Sequence, residues 1–178
     1  PVYLPYLGGL EVLAGQLLGA LRDRGHEGSV LTSTDGSDPG LDVVDGIEVL
    51  RTDAHAVIEA RDLAGILRVE RETWERVRDV QPDVIHAHDA APSLWLYVRA
   101  ARRTRPPIVL TLHNVMTEQF QSMGADLAGL RTVLRAADRV TGVSPDVIAD
   151  ARELEPSIAS RLSMVMNGVA APARPVAP

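Results

Sequence analysis

Ile108-Val109-Leu110-Thr111-Leu112 is the stretch that most narrows the folds open to this chain. It is uncharged and rich in branched residues, with Pro106-Pro107 before it and His113-Asn114 after it. Such a run reads as a strand buried on both faces, the environment of a parallel sheet. Strand-like and helix-like segments alternate on either side of it, which predicts βαβ units and a parallel sheet covered on both faces. The expected class is therefore α/β, with a doubly wound, mainly parallel sheet. With 178 residues the chain fits one domain, long enough to bury about two-thirds of its unfolded surface.

Leu10, Leu13, Leu17 and Leu21 recur at helical spacing, and Gly25 is placed to end that helix. Ser29–Thr32 reads as a strand, Ser33–Asp45 as a loop rich in Asp, Gly, Ser and Pro, and Gly46–Leu50 as a strand. From Ile58 to Val80 the pattern is helical, with Leu63, Leu67, Trp74 and Val77 on the apolar side and Pro82 as its stop. Asp83–His86 reads as a strand, Leu94–Arg103 as a helix, and Glu118–Ala137 as one or two helices. Arg139–Val143 is a further strand, Ser144-Pro145-Asp146 opens a helix, and Leu162–Met166 is a last strand. The Ala/Pro-rich stretch 170–178 reads as a linker after a domain covering 1–169. A glycine turn entering a first helix needs a strand before it. Only Pro1–Leu7 precede Gly8, so a first, central strand is expected to be missing, leaving Ser29–Thr32 and Ile108–Leu112 without a neighbour.

Charge and composition exclude several classes. The net charge is −6 and every one of the 18 basic residues is arginine, so no basic face for nucleic acid stands out. The run Arg99, Arg102, Arg103, Arg105 reads as an exposed helix end, with contact to anionic lipid headgroups as the alternative. Without lysine there is no Schiff base and no P-loop lysine, and without cysteine no thiol chemistry. No apolar run is long enough to span a membrane, and a cytoplasmic location, membrane-associated at most, is expected. Gly-x-Ser-x-Gly, Walker and Gly-x-Gly-x-x-Gly patterns are absent.

Five short polar motifs stand where apolar runs end: Gly8-Gly9-Leu10-Glu11, His86-Ala87-His88-Asp89, Thr111-Leu112-His113-Asn114, Val143-Ser144-Pro145 and Asn167-Gly168-Val169. In an open parallel sheet, ligands bind outside the carboxyl ends of the strands, so the five are expected to border one cleft. Gly8 and Gly9 offer close backbone approach and free N–H groups at a positive helix end, suited to a phosphate or simply to a tight turn. Glu11 in the first helical turn is stabilised there by the dipole whatever else it does. His86 and His88, two apart on a strand, point the same way and could share a metal. The competing reading packs one of them in or near the core and turns the other, His88, to the cleft. His113 ends the most buried strand, where histidine is not the obvious turn residue. It is the leading candidate for an active-site group that donates a hydrogen bond or polarises a substrate. Ser144 is explained as a helix N-cap and could also hold an anion. Asn167-Gly168 is a turn signal. His26 and His55 read as surface residues.

Taken in order, these motifs resemble the opening domain of a family-four retaining glycosyltransferase with the GT-B fold. The resemblance is carried by Pro5-Tyr6-Leu7-Gly8-Gly9-Leu10-Glu11, Leu21-Arg22-Asp23-Arg24-Gly25-His26-Glu27, Leu31-Thr32, Asp83–His88, Thr111–Asn114, Ala137–Val140 with Val143-Ser144, and Met166–Val169. It implies one Rossmann-like half of a two-domain enzyme, the acceptor-side half. The donor-binding half, with its pair of glutamates, would follow the linker. It implies transfer of a sugar from a nucleotide-diphosphate donor to a sugar, lipid or small-molecule acceptor, with retention of configuration and no metal or other cofactor. By position, His113 and Glu11 would be the catalytic candidates. Gly8 and Gly9 would meet the donor diphosphate, while Glu11, His88, Asn114 and Ser144 would line the acceptor side and Asn167-Gly168 would form the hinge. The domain without its donor half is expected to be inactive. The alternatives are a metal-dependent hydrolase built on His86 and His88, and a non-catalytic sugar- or nucleotide-binding module.

Overall fold

The computed structural model describes residues 3–5, 8–34, 39–90, 92–122 and 127–168. Helix α1 (Gly9–Arg22) ends where Gly25 adopts a φ of 86°, and the His26 N–H returns to the Leu21 carbonyl to close the helix end. Strands β1 (Val30–Ser33), β2 (Gly40–Val44) and β3 (Ile47–Thr52) form one sheet in the order β1-β3-β2. β1 runs parallel to β3, and β2 antiparallel. Helices α2 (Ala54–Glu59) and α3 (Leu63–Val80) lead to the second sheet. Its strands are β4 (Ile85–His88), β5 (Ile108–Leu112), β6 (Arg139–Gly142) and β7 (Leu162–Met164), all parallel and paired in that order. Helices α4 (Pro92–Ala101), α5 (Met116–Ser122), α6 (Leu127–Ala136) and α7 (Pro145–Leu154), with a short 3-10 helix at Pro156–Arg161, make the connections. The class is α/β and Rossmann-like, a parallel sheet flanked by helices.

One core joins the helices to the four-stranded sheet. It gathers Ala87, Leu110, Leu112 and Val140 from the strands with Val69, Leu96, Leu130, Leu134, Val147 and Ile158. A smaller cluster of Tyr3, Ile47 and Val49 is covered by Ala14 and Leu18 of α1. Tyr97 on α4 ties the two sheets together. Its hydroxyl lies 2.6 Å from Thr52 Oγ1 and 3.2 Å from Ser33 Oγ, at the last residues of β3 and β1.

Several expectations need correction. The stretch read as one loop, Ser33–Asp45, contains β2, a strand paired with β3 across Asp45-Gly46. Both turn residues have positive φ, 52° and 76°, the two-residue hairpin geometry that Asp-Gly favours. The helix expected from Ile58 to Val80 is broken at Arg61, whose φ is 53°. Its buried side is Gly65, Val69, Thr73 and Val77, whereas Leu63 and Leu67 are 68% and 55% exposed. The last strand stops at Met164, two residues short of the reading. Ile108–Leu112 does not lie beside a gap: it is paired on both sides, and the strands open on one side among the described residues are β1, β2, β4 and β7. The stretch read as a linker, 170–178, lies outside the described residues, as does Val169.

Candidate functional site

The pleat of β4 decides the site's composition. Ala87 turns into the core, and His86 and His88 stand together on the opposite face, with His86 exposed and His88 the less accessible of the two. The competing picture of one core histidine and one cleft histidine is therefore replaced by a pair on one face. The registers His88↔Thr111 and Thr111↔Thr141 continue that face across β5 and β6 as a polar row. His86 Nε2 lies 2.7 Å from Thr111 Oγ1, which lies 2.8 Å from Thr141 Oγ1. The His86 and His88 ring centroids are 4.1 Å apart. Beyond the end of β5, His113 turns back over this row: its Nε2 lies 3.2 Å from His88 Nδ1, with rings 27° from parallel.

The loop that carries His113 is anchored from a distance. Asp150 of α7 accepts from the N–H groups of Met116 and Thr117 at 2.8 and 3.2 Å, capping the first turn of α5. Asp89, with a left-handed φ of 61°, donates its N–H to the Thr111 carbonyl. Its Oδ2 accepts from Asn114 Nδ2 at 3.1 Å. Its Oδ1 is buried with no hydrogen-bond partner among the described residues. A non-glycine residue held at positive φ stores strain, and such positions cluster at functional sites.

All three imidazoles are held neutral. Burial first, and then the neighbouring His86 and His113, together lower the His88 value to about 3. His86 is lowered by loss of water and then by His113. His113 is lowered by burial, against a smaller opposing pull from Asp89. Neutral imidazoles can accept as well as donate hydrogen bonds, so near pH 7 the row is a set of directional polar groups rather than an anion trap.

The other sequence-derived positions are placed as follows. Ser144 caps α7, its Oγ accepting from the Val147 N–H at 3.3 Å, at the end of the neighbouring strand β6. Gly8 is the N-cap of α1, and a β-carbon there would overlap the Glu11 carboxylate, which folds back over the helix start and is itself buried. Gly9 has open space on the corresponding side. Among the described residues, no hydrogen bond or ion pair joins Gly8, Gly9 or Glu11 to the histidines. Asn167 and Gly168 are exposed in the coil after β7, and His26 and His55 are on the surface. The structure thus brings together His86, His88, His113 and Asn114, with Ser144 on the adjacent strand end. Sequence reasoning missed Thr141 and Asp150. Matching threonines on two strands were a faint signal for the first. Nothing near Asp150 marks a cap reaching 34 residues back.

A family model described as Glycosyltransferase Family 4 matches residues 7–171. The chain belongs to this family. Every strand-end motif from Gly8 to Val169 falls within the match. No curated protein matches the chain. His88 is the last residue of β4 and His113 directly follows the last residue of β5, and in open parallel sheets generally ligands bind at the carboxyl ends of the strands. Among the described residues, no group of three or more His, Asp or Glu is placed to hold a metal ion. No described helix is long and apolar enough to cross a membrane.

Proposed function

We propose that this Family 4 chain is the acceptor-side domain of a retaining glycosyltransferase that draws its sugar from a nucleotide-diphosphate donor. The observation that carries the reading is the convergence of His113 on His88 and Asn114 on Asp89, at the strand ends of a chain matched by the family over residues 7–171. In the reaction, His113 hydrogen-bonds the transferred sugar as positive charge develops at its anomeric carbon, and Asn114, His88 and Ser144 face the acceptor. Gly9 gives the donor diphosphate an open approach to the start of α1, where N–H groups and the helix dipole favour negative charge. At Gly8 the same approach requires the Glu11 carboxylate to swing away. Glu11 thereby becomes a group that moves between the empty and donor-bound states. The domain works in the cytoplasm, the acceptor is a sugar, lipid or small molecule, and the Arg99–Arg105 run is available for peripheral membrane contact.

In the full-length protein, His113→Ala is expected to lower kcat by about 10²- to 10³-fold, the scale of one directed hydrogen bond to the transition state. The folded state should survive, because His113 is a half-buried residue at the end of its strand. Unchanged turnover in a folded variant would remove the catalytic assignment.

A further inference from the structure

The contact between His88 and His113 pairs unlike nitrogens, Nδ1 of the first with Nε2 of the second, 3.2 Å apart. Two neutral rings meet this way only if one of the two nitrogens carries the proton and the other is bare. If His113 donates, both rings hold their proton on Nε2, the tautomer an unconstrained neutral imidazole prefers. If His88 donates, both are forced into the less favoured Nδ1–H form. Among the described residues His113 Nδ1 makes no hydrogen bond: Asp89, the nearby carboxylate, is engaged by Asn114 through Oδ2 instead.

We propose that His88 is the positioning residue of His113. Its Nδ1 accepts the His113 Nε2–H, leaving His113 Nδ1 as a bare lone pair that receives a hydroxyl of the bound sugar or polyol. The inference rests on the reading of His113 as a ligand-contacting group and names the chemistry of that contact. His88 is suited to the task because it cannot turn easily. It packs on the His86 ring at 4.1 Å, and His86 is tied through Thr111 to Thr141, so the row is braced on three strands. Asp89 Oδ1, buried and without a partner among the described residues, adds a second acceptor in the same β4–β5 corner. A corner that offers lone pairs selects a ligand with hydrogen-bond donors. It disfavours a phosphate or carboxylate, which would face Asp89 and a bare nitrogen with nothing to receive.

The test uses the 178-residue chain labelled with ¹⁵N, and long-range proton–nitrogen correlation of the histidine rings near pH 7. The expected result is a protonated Nε2 and a bare Nδ1 on His113, with the same pattern on His88. In His88→Phe, which keeps a ring but no nitrogen, the His113 signals should move toward an average of the two tautomers. His88→Asn, which offers an amide oxygen near the place of Nδ1, should restore the single tautomer. A bare Nε2 on His113 in the wild type, or a His113 tautomer indifferent to His88→Phe, overturns the proposal. If His88→Phe fails to fold, the wild-type spectrum alone decides. Titration with sorbitol should shift His113 Nδ1 and inorganic phosphate should not; the reverse overturns the ligand class. None of these readouts uses turnover, so the tautomer assignment and the catalytic reading fail separately.

Discussion

A methyl group is the smallest change that probes the start of α1. At Gly8 it would collide with the Glu11 carboxylate that covers the helix N-terminus. Glu11 stands three residues after the cap and carries a charge the dipole favours there. Gly8→Ala is therefore expected to destabilise the fold by roughly 0.5–2 kcal/mol, the range of N-cap losses. Much of that cost should vanish in a Glu11→Ala background, because the collision goes with the side chain. Urea unfolding of the two single variants and the double variant measures the coupling; strict additivity would show that the carboxylate does not sit over Gly8. At this scale the sequence was eloquent about residue types and silent about neighbours. Ser144 as a cap followed from Ser-Pro-Asp. That His88, rather than His86, is the more enclosed imidazole followed only from the loop that folds His113 over it.

Strand β4 carries two imidazoles on one face, and the turn after β5 adds a third. All three titrate below the ordinary histidine value of 6.5, His88 down to about 3. The unfolded chain therefore takes up protons before the folded one does. The stability contributed by the neutral row is complete above about pH 6.5 and declines as pH falls below it. For His88 the decline continues to about pH 3 and approaches about 1.4 kcal/mol per pH unit. His86, exposed to solvent, contributes less. Urea midpoints at pH 7.5, 6 and 5 should fall steadily, and His88→Gln should flatten the slope. A wild-type midpoint constant over this range would contradict the enclosed, neutral row. Helix and strand identities were largely readable from periodicity, and β5 was readable to its exact ends. β2 was missed because its residues are mostly exposed, so no buried face marks it. The cue was Asp45-Gly46, a turn signal that outweighs weak strand composition. The apolar side of α3 was misread because Gly65, at the close approach of Val57 in α2, and Thr73 are buried in place of Leu63 and Leu67.

At the scale of the whole molecule, Tyr97 of α4 sits in the core of the four-stranded sheet and hydrogen-bonds to two strands of the three-stranded one. Thr52 is fully buried and Ser33 nearly so, and both hydroxyls meet the phenol. Tyr97→Phe leaves buried polar groups short of a partner, which costs about 1–3 kcal/mol. The expected readout is a lower urea midpoint with little change in slope; an unchanged midpoint would mean that the apolar contacts alone join the sheets. On the functional side, the proposed division of labour places most donor contacts outside this domain. Calorimetry of the isolated chain with nucleotide-sugars is expected to show binding weaker than micromolar and no turnover. Micromolar affinity would contradict the assignment of the donor to the other half.

Alternating apolar runs, a β-branched strand, glycine and proline punctuation and the ordered motifs determined the α/β class, most element positions and the family. These are local properties, written in a few neighbouring residues at a time. Which histidine nitrogens meet and which carboxylate oxygen is left over depend on residues 25 positions apart being brought within hydrogen-bonding distance, and which side of α3 is buried depends on the elements packed against it. Only the closed tertiary structure fixes such distances. Burial, which sets the protonation of the histidine row, is a property of the packed whole and of no single stretch of chain.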